Sequence, residues 1–99
     1  MKVFTPIPGA SITIAATEVS ASGSVPVAAR SAGFIRIVVT GSAPARVRWG
    51  KGAQTAVAGD ALIPVNGELV AALNGADTVA AICDAGGTAS VEVAFGQAL

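Results

Sequence analysis

The sequence predicts an all-β protein: a small antiparallel β-sandwich or barrel of short strands, with little or no helix. Three observations point there. Apolar and polar residues alternate with a period of two over several runs, as in strands with one buried face. Gly, Pro, Asn and Ser interrupt those runs at short intervals, as turns between strands do. No segment keeps apolar residues at helical spacing over several turns. The 99 residues fit one β domain, 1–99, with no linker or convincing repeat.

The strands follow in order. "SITIAAT" places Ile12, Ile14 and Ala16 on one face and Ser11, Thr13 and Thr17 on the other, and "EVSAS" continues it after a kink. "VPVAA" is short, and Pro26 lacks the N–H that a central strand needs, so it belongs at an edge. "GFIRIVVT" lines up Ile35, Ile37 and Val39, and "ARVRWG" lines up Ala45, Val47 and Trp49 against Arg46 and Arg48. With Gly41 to Pro44 as a tight turn, these two runs read as a hairpin with a cationic outer face.

"QTAVA", "ALIPV", "ELVAAL", "DTVAAIC" and "ASVEVAF" complete the set, the last with Val91, Val93 and Phe95 inward and Glu92 outward. Pro64 marks an edge or bend. Asn66-Gly67 is a hairpin signal, since both residues tolerate positive φ. Gly86-Gly87 does the same before the last strand, and Asn74-Gly75 ends the Ala-rich run "LVAALNGAD" as a turn. The short connections predict that strands adjacent in sequence pair antiparallel.

Composition narrows function. Hydrophobic residues make up 53% and charged ones 12%, against about 25% charged in an average domain. So little polar material predicts a surface partly covered by another chain. The formal net charge of 0 gives no support to general binding of nucleic acid or membrane surfaces. No apolar run is long enough to span a membrane. The signal-peptide-like start is broken by Pro6, Pro8 and Gly9. The chain ends are expected to be held by a sheet or a partner.

Reactive chemistry is scarce. Without His, any Ser or Cys nucleophile lacks its commonest base, and a Cys/His zinc site cannot form within one chain. The acidic residues fall on different strands, leaving only spatial pairings such as Asp60 with Asp84. Cys83 reads as a small core residue, with Asp84 of the wrong sign to activate it. The glycines punctuate strands and form no phosphate loop, and Trp49 reads as core rather than as a platform for sugar or base. The sequence therefore predicts no enzyme, no cofactor and no metal.

Charge is uneven along the chain. Arg30, Arg36, Arg46, Arg48 and Lys51 lie in the middle; Asp60, Glu68, Asp77, Asp84 and Glu92 follow. A fold can mix these into salt-bridged or solvated faces. The sharper expectation is a basic patch on one subunit meeting an acidic patch on the next, with Arg36, Arg46, Arg48, Lys51, Asp60 and Glu68 as interface residues. Reversing Arg46 and Arg48 to Glu is then expected to spare the fold and weaken docking.

The order of features resembles a family of small β-rich virion proteins of tailed bacteriophages. The carriers are "IRIVVTGSAPARVRWG", fitting I-R-I-x-x-x-G-x-x-P-x-x-V-x-W-G, then Pro64 and Gly67, then "AAICDAGGTASVEV" with Gly87 and Thr88. The resemblance spans residues 33–96. It implies a β-sandwich or barrel in the virion, most often a capsid decoration (cement) protein. Such a protein forms a homotrimer, binds the major capsid protein on the outer shell, and is made in the host cytoplasm. Neck, tail and fibre-base components share similar folds. A glycan- or surface-binding module using Trp49 is the alternative from another class. The resemblance supplies no catalytic residues.

Overall fold

A computed structural model describes residues 3–98. It contains nine strands: β1 (Phe4–Pro6), β2 (Ile12–Ala16), β3 (Ala21–Ser24), β4 (Phe34–Gly41), β5 (Ala45–Gly50), β6 (Ala61–Ile63), β7 (Glu68–Ala72), β8 (Thr78–Cys83) and β9 (Ala89–Ala98). One sheet, A, runs β1-β9-β4-β7, with β2 sharing the β9 edge beside β1; the other, B, runs β3-β8-β5-β6. Every pairing is antiparallel. The all-β sandwich expected from the sequence is the fold. Its strand order, β2-β9-β4-β7 over β3-β8-β5-β6, is that of an eight-stranded jelly roll with β1 added.

Alternation places the residues as the sequence predicts. Ile35, Ile37, Val39, Val91 and Phe95 are fully buried, Val93 is 1% exposed, and all face inward from sheet A. Sheet B answers with smaller groups, among them Ala45, Val47, Val79, Ala81 and Cys83. Large side chains on one sheet thus meet small ones on the other, which lets the layers interdigitate at interior packing density. Along one side, the edge strands β2 and β3 lie against each other. There a Cβ on Gly23 would approach Ile12 Cδ1 to 3.1 Å.

The connections differ from expectation. β4 pairs with β9 and β7 in sheet A, whereas β5 pairs with β8 and β6 in sheet B. "IRIVVTGSAPARVRWG" is therefore an arch crossing from one sheet to the other, not a hairpin. The same correction applies at Asn66-Gly67, between β6 and β7, and at Gly86-Gly87, between β8 and β9. β5 and β6 are the one sequence-adjacent pair that hydrogen-bonds as neighbours among the described strands.

Local geometry explains part of this. Gly67 N–H donates to Pro64 O at 2.8 Å, and positive φ is confined to Asn66 (63°) in that turn. That is a type II turn, whose twist splays flanking strands, where a hairpin wants the mirror-image types. Gly87 N–H to Asp84 O (2.9 Å) with Gly86 at φ 78° repeats it. The Leu73–Ala76 turn has both central φ values positive, Asn74 55° and Gly75 73°, as the Asn-Gly pair predicts, yet it too links the two sheets.

Two expected strands are absent, and one expected continuation is displaced. "VPVAA" becomes a single 3-10 turn, Val27–Ala29, capped by Pro26 at φ −56°. Pro26 has no N–H for a ladder, and the following alanines accept a helical turn. "QTAVA" forms no strand and lies in the 51–60 loop. "EVSAS" does not continue β2; the chain crosses to sheet B, where β3 begins at Ala21. Conversely β1, too short and proline-bearing to show alternation, pairs with the far end of β9, Phe4 opposite Ala98. Residues 4–6 and 96–98 are thus held together in one sheet.

Candidate functional site

The six expected interface residues separate onto two outer faces and one end of the sandwich. Arg46 and Arg48 project from β5 on the outside of sheet B, and the chain's own 51–60 loop lies over them. Arg48 Nε and Nη2 donate to the Asp60 carboxylate at 2.9 Å each, a two-pronged charge-assisted contact. Asp60 Oδ2 also accepts the Val57 N–H at 2.8 Å, and Ala56 N–H donates to Ser20 Oγ at 2.8 Å. The loop is therefore pinned from Ser20 to β5, and Ala56 and Ala80 are buried on this face.

Arg46 Nη1 donates to the Asp60 carbonyl (3.2 Å), while its Nε is enclosed, 4.0 Å from Asp84 Oδ1 and without a hydrogen bond. Arg46 thus lies between Asp60 and Asp84, and the two carboxylates form no pair with each other. Reversal of Arg46 and Arg48 would release the loop as well as alter the surface, so that change does not spare local structure.

The Arg48 guanidinium holds the Asp60 carboxyl below its ordinary value, against the opposing cost of desolvation. Asp60 in turn holds Arg48 above its usual value, mainly through the same hydrogen bond. A folded value below the unfolded one stabilises the folded state fully above the unfolded carboxylate pKa of about 3.9. That stabilisation is lost as pH falls through the depressed folded value. Asp60→Ala removes the acceptor of the Val57 N–H and is expected to abolish amide protection at Val57 at neutral pH, leaving the melting temperature nearly unchanged. The unaltered chain should lose that protection only in acid; hydrogen exchange checks both.

Arg36 and Glu68 belong to the opposite surface, the outside of sheet A. They meet diagonally between β4 and β7, Arg36 Nε donating to Glu68 Oε2 at 2.6 Å with Nη2 at 2.5 Å. Glu92, on β9, accepts from Thr13 Oγ1 at 2.8 Å. Between these charges the outward positions are apolar: Phe34 and Val38 on β4, Val70 on β7, and Ala94 on β9. Val70 is 42% exposed. A shallow depression of about 160 Å³ lies here, lined by Ser11, Arg36, Val38, Glu92, Val93 and Ala94. Antiparallel sheets that face water alternate apolar-in with polar-out; this face departs from that rule.

Lys51 stands apart, exposed at the end of the sandwich beside Gly75. The basic-middle, acidic-late order in the sequence is resolved by contacts within the chain, Arg36 to Glu68, Arg46 to Asp84 and Arg48 to Asp60. Arg30 Nε donates to the Val25 carbonyl at 3.2 Å.

Trp49 packs half-buried against the core, and its Nε1 donates to the Ala72 carbonyl at 3.0 Å, tying β5 to β7 across the sheets. Its ring edge is thus already engaged. Cys83 is buried, its thiol near the Ala16 carbonyl at 3.7 Å. Burial, then the charge of Asp84, pushes that thiol up from its ordinary value, the direction that makes it unreactive. The apolar outer face of sheet A is not among the features expected from the sequence. Its signal was present as Phe34, Val38 and Val70 at outward positions of alternating strands.

No family model matches the sequence, and no curated protein matches it. Among solved structures, the chain is similar to one described as "Bacillus endospore appendages form a novel family of disulfide-linked pili". The likeness covers 97% of this chain and 88% of the other, at 15% identity and a TM-score of 0.49.

Proposed function

We propose that this chain is a non-enzymatic structural subunit of a tailed-phage virion, a capsid decoration protein that associates with copies of itself and docks on the major capsid protein. The observation that carries the reading is the outer face of sheet A. Phe34, Val38, Val70 and Ala94 leave a solvent-side sheet surface apolar, framed by Arg36, Glu68 and Glu92. Such a face is the kind that another protein covers. The resemblance over residues 33–96 supplies the virion setting. Many copies on one shell would let individually weak contacts add through avidity. A glycan-binding role has less support, since the indole N–H of Trp49 is spent on Ala72.

Antibody labelling of particles produced by a phage carrying this gene tests the setting. Label over the whole shell supports decoration, label at a single vertex selects a neck, tail or fibre-base component, and no label overturns the virion reading. Val38→Glu tests the face. Val38 is half-buried on the outside of sheet A, opposite both Glu68 and Glu92, so a third carboxylate there concentrates like charge. The variant is expected to fold and to show at least a tenfold loss of occupancy on particles. Undiminished occupancy would show that this face is only solvated.

A further inference from the structure

Each sheet of the sandwich has two edges, and they differ in how well they are protected. A bare edge offers unpaired N–H and C=O groups to any passing strand, so proteins shorten edges, cover them or place proline there. In sheet B, β6 has three residues and stops at Pro64. In sheet A, β1 also has three residues and contains Pro6. β2 and β3, edges of opposite sheets, close their side of the sandwich by packing on each other. β7 has none of these devices. It is five residues, ELVAA, without proline, and among the described strands it pairs only with β4.

The ladder fixes which groups of β7 are free. Leu73 N–H donates to Gly33 O and Gly67 O accepts from Val39 N–H, so odd-numbered residues bond towards β4. By alternation, the backbone groups of Glu68, Val70 and Ala72 point outward. Ala72 O is taken by Trp49 Nε1. Glu68 and Val70 remain, with both side chains exposed on the apolar outer face.

We propose that the β7 edge is a joint between two copies of this chain. Two β7 strands pair antiparallel across a two-fold axis, Glu68 of each copy opposite Val70 of the other, and the two copies of sheet A become one continuous sheet. The register follows from Trp49, which leaves Glu68 and Val70 as the open positions. It is self-complementary, as a two-fold contact must be. No like charges face each other, and Arg36 lies in the same cross-strand row as Glu68 of the second copy, with Val70 between them. The joint deepens the self-association reading above and gives it two-fold symmetry, in place of the three-fold ring that the resemblance implies.

Light scattering of the purified chain is expected to give twice the chain mass. Val70→Glu sets a carboxylate opposite Glu68 of the other copy at two symmetric places. It should weaken the dimer at least tenfold with the melting curve retained. The double variant E68K/V70E restores opposite charges and should restore the dimer. Val70→Pro removes an N–H that β4 does not use, so it should give a folded monomer. A monomeric or trimeric parent chain, a V70E dimer of unchanged affinity, or no rescue by the double variant overturns the joint. A monomer that still labels particles defeats this inference alone; a dimer that labels none defeats the virion reading alone.

Discussion

Phe95→Ala is expected to destabilise the domain by about 3–5 kcal/mol, the cost of emptying a large aromatic site in a packed core. Phe95 is fully buried on β9, opposite Ile35 on β4, and is the largest of the enclosed side chains. Its neighbours sit on paired strands, which limits how far the space can collapse. At roughly 4–8 °C per kcal/mol for a chain of this size, the melting temperature should fall by about 12–40 °C. Thermal and urea unfolding followed by circular dichroism measure it. Phe34→Ala, on the outer face of the same sheet, is the matched control and should cost much less. Equal losses from the two changes would refute the assignment of Phe95 as the keystone of the core.

Gly96→Ala is expected to detach β1 while leaving the sandwich standing. Gly96 is buried where β1 crosses β9, and a Cβ there would be driven into the Thr5 carbonyl and to within 2.9 Å of Pro6 Cα. These are backbone atoms, so no side-chain rotation relieves the clash. β1 packs substantially on β9 alone, and Ile7 N–H donates to Phe95 O at 2.8 Å just beyond it. The expected result is at least tenfold faster exchange of the Ile7 amide, with protection of Val91 and Val93 kept. Unchanged protection at Ile7 would mean that β1 tolerates a displaced path.

Much of the fold is legible in the sequence, and the failures share one cause. Alternation shows which side chains face inward: Ile35, Ile37, Val39, Val47, Val91 and Phe95 all lie in the core as read. It does not show which sheet a strand joins. In a hairpin two inward faces lie side by side, and in an arch they confront each other across the core; the pattern of apolar residues is identical. Hence the pattern locates the turns at β4–β5, β6–β7 and β8–β9 but does not distinguish these arches from hairpins.

The candidate site was less legible. Charge order along the chain picked out Arg48 and Asp60, and Arg36 and Glu68, but not that each pair closes on itself. Such pairings depend on where an irregular loop lands and on diagonal neighbours in a sheet. The apolar outer face was hidden because Phe34, Val38 and Val70 count as ordinary strand residues until the sheet gives them a side.

The position of β9 has a consequence for how the molecule is made. The last strand is central in sheet A and holds β1, β2 and β4. A ribosome releasing this chain from its N-terminus delivers β1 and β2 long before their hydrogen-bonding partner exists. Sheet A therefore cannot close until β9 has emerged, after every other described strand. Pairings this distant in sequence carry a large loop-closure entropy and fold slowly. During that interval Ile12, Ile14 and the β4 isoleucines lack the β9 residues they pair with.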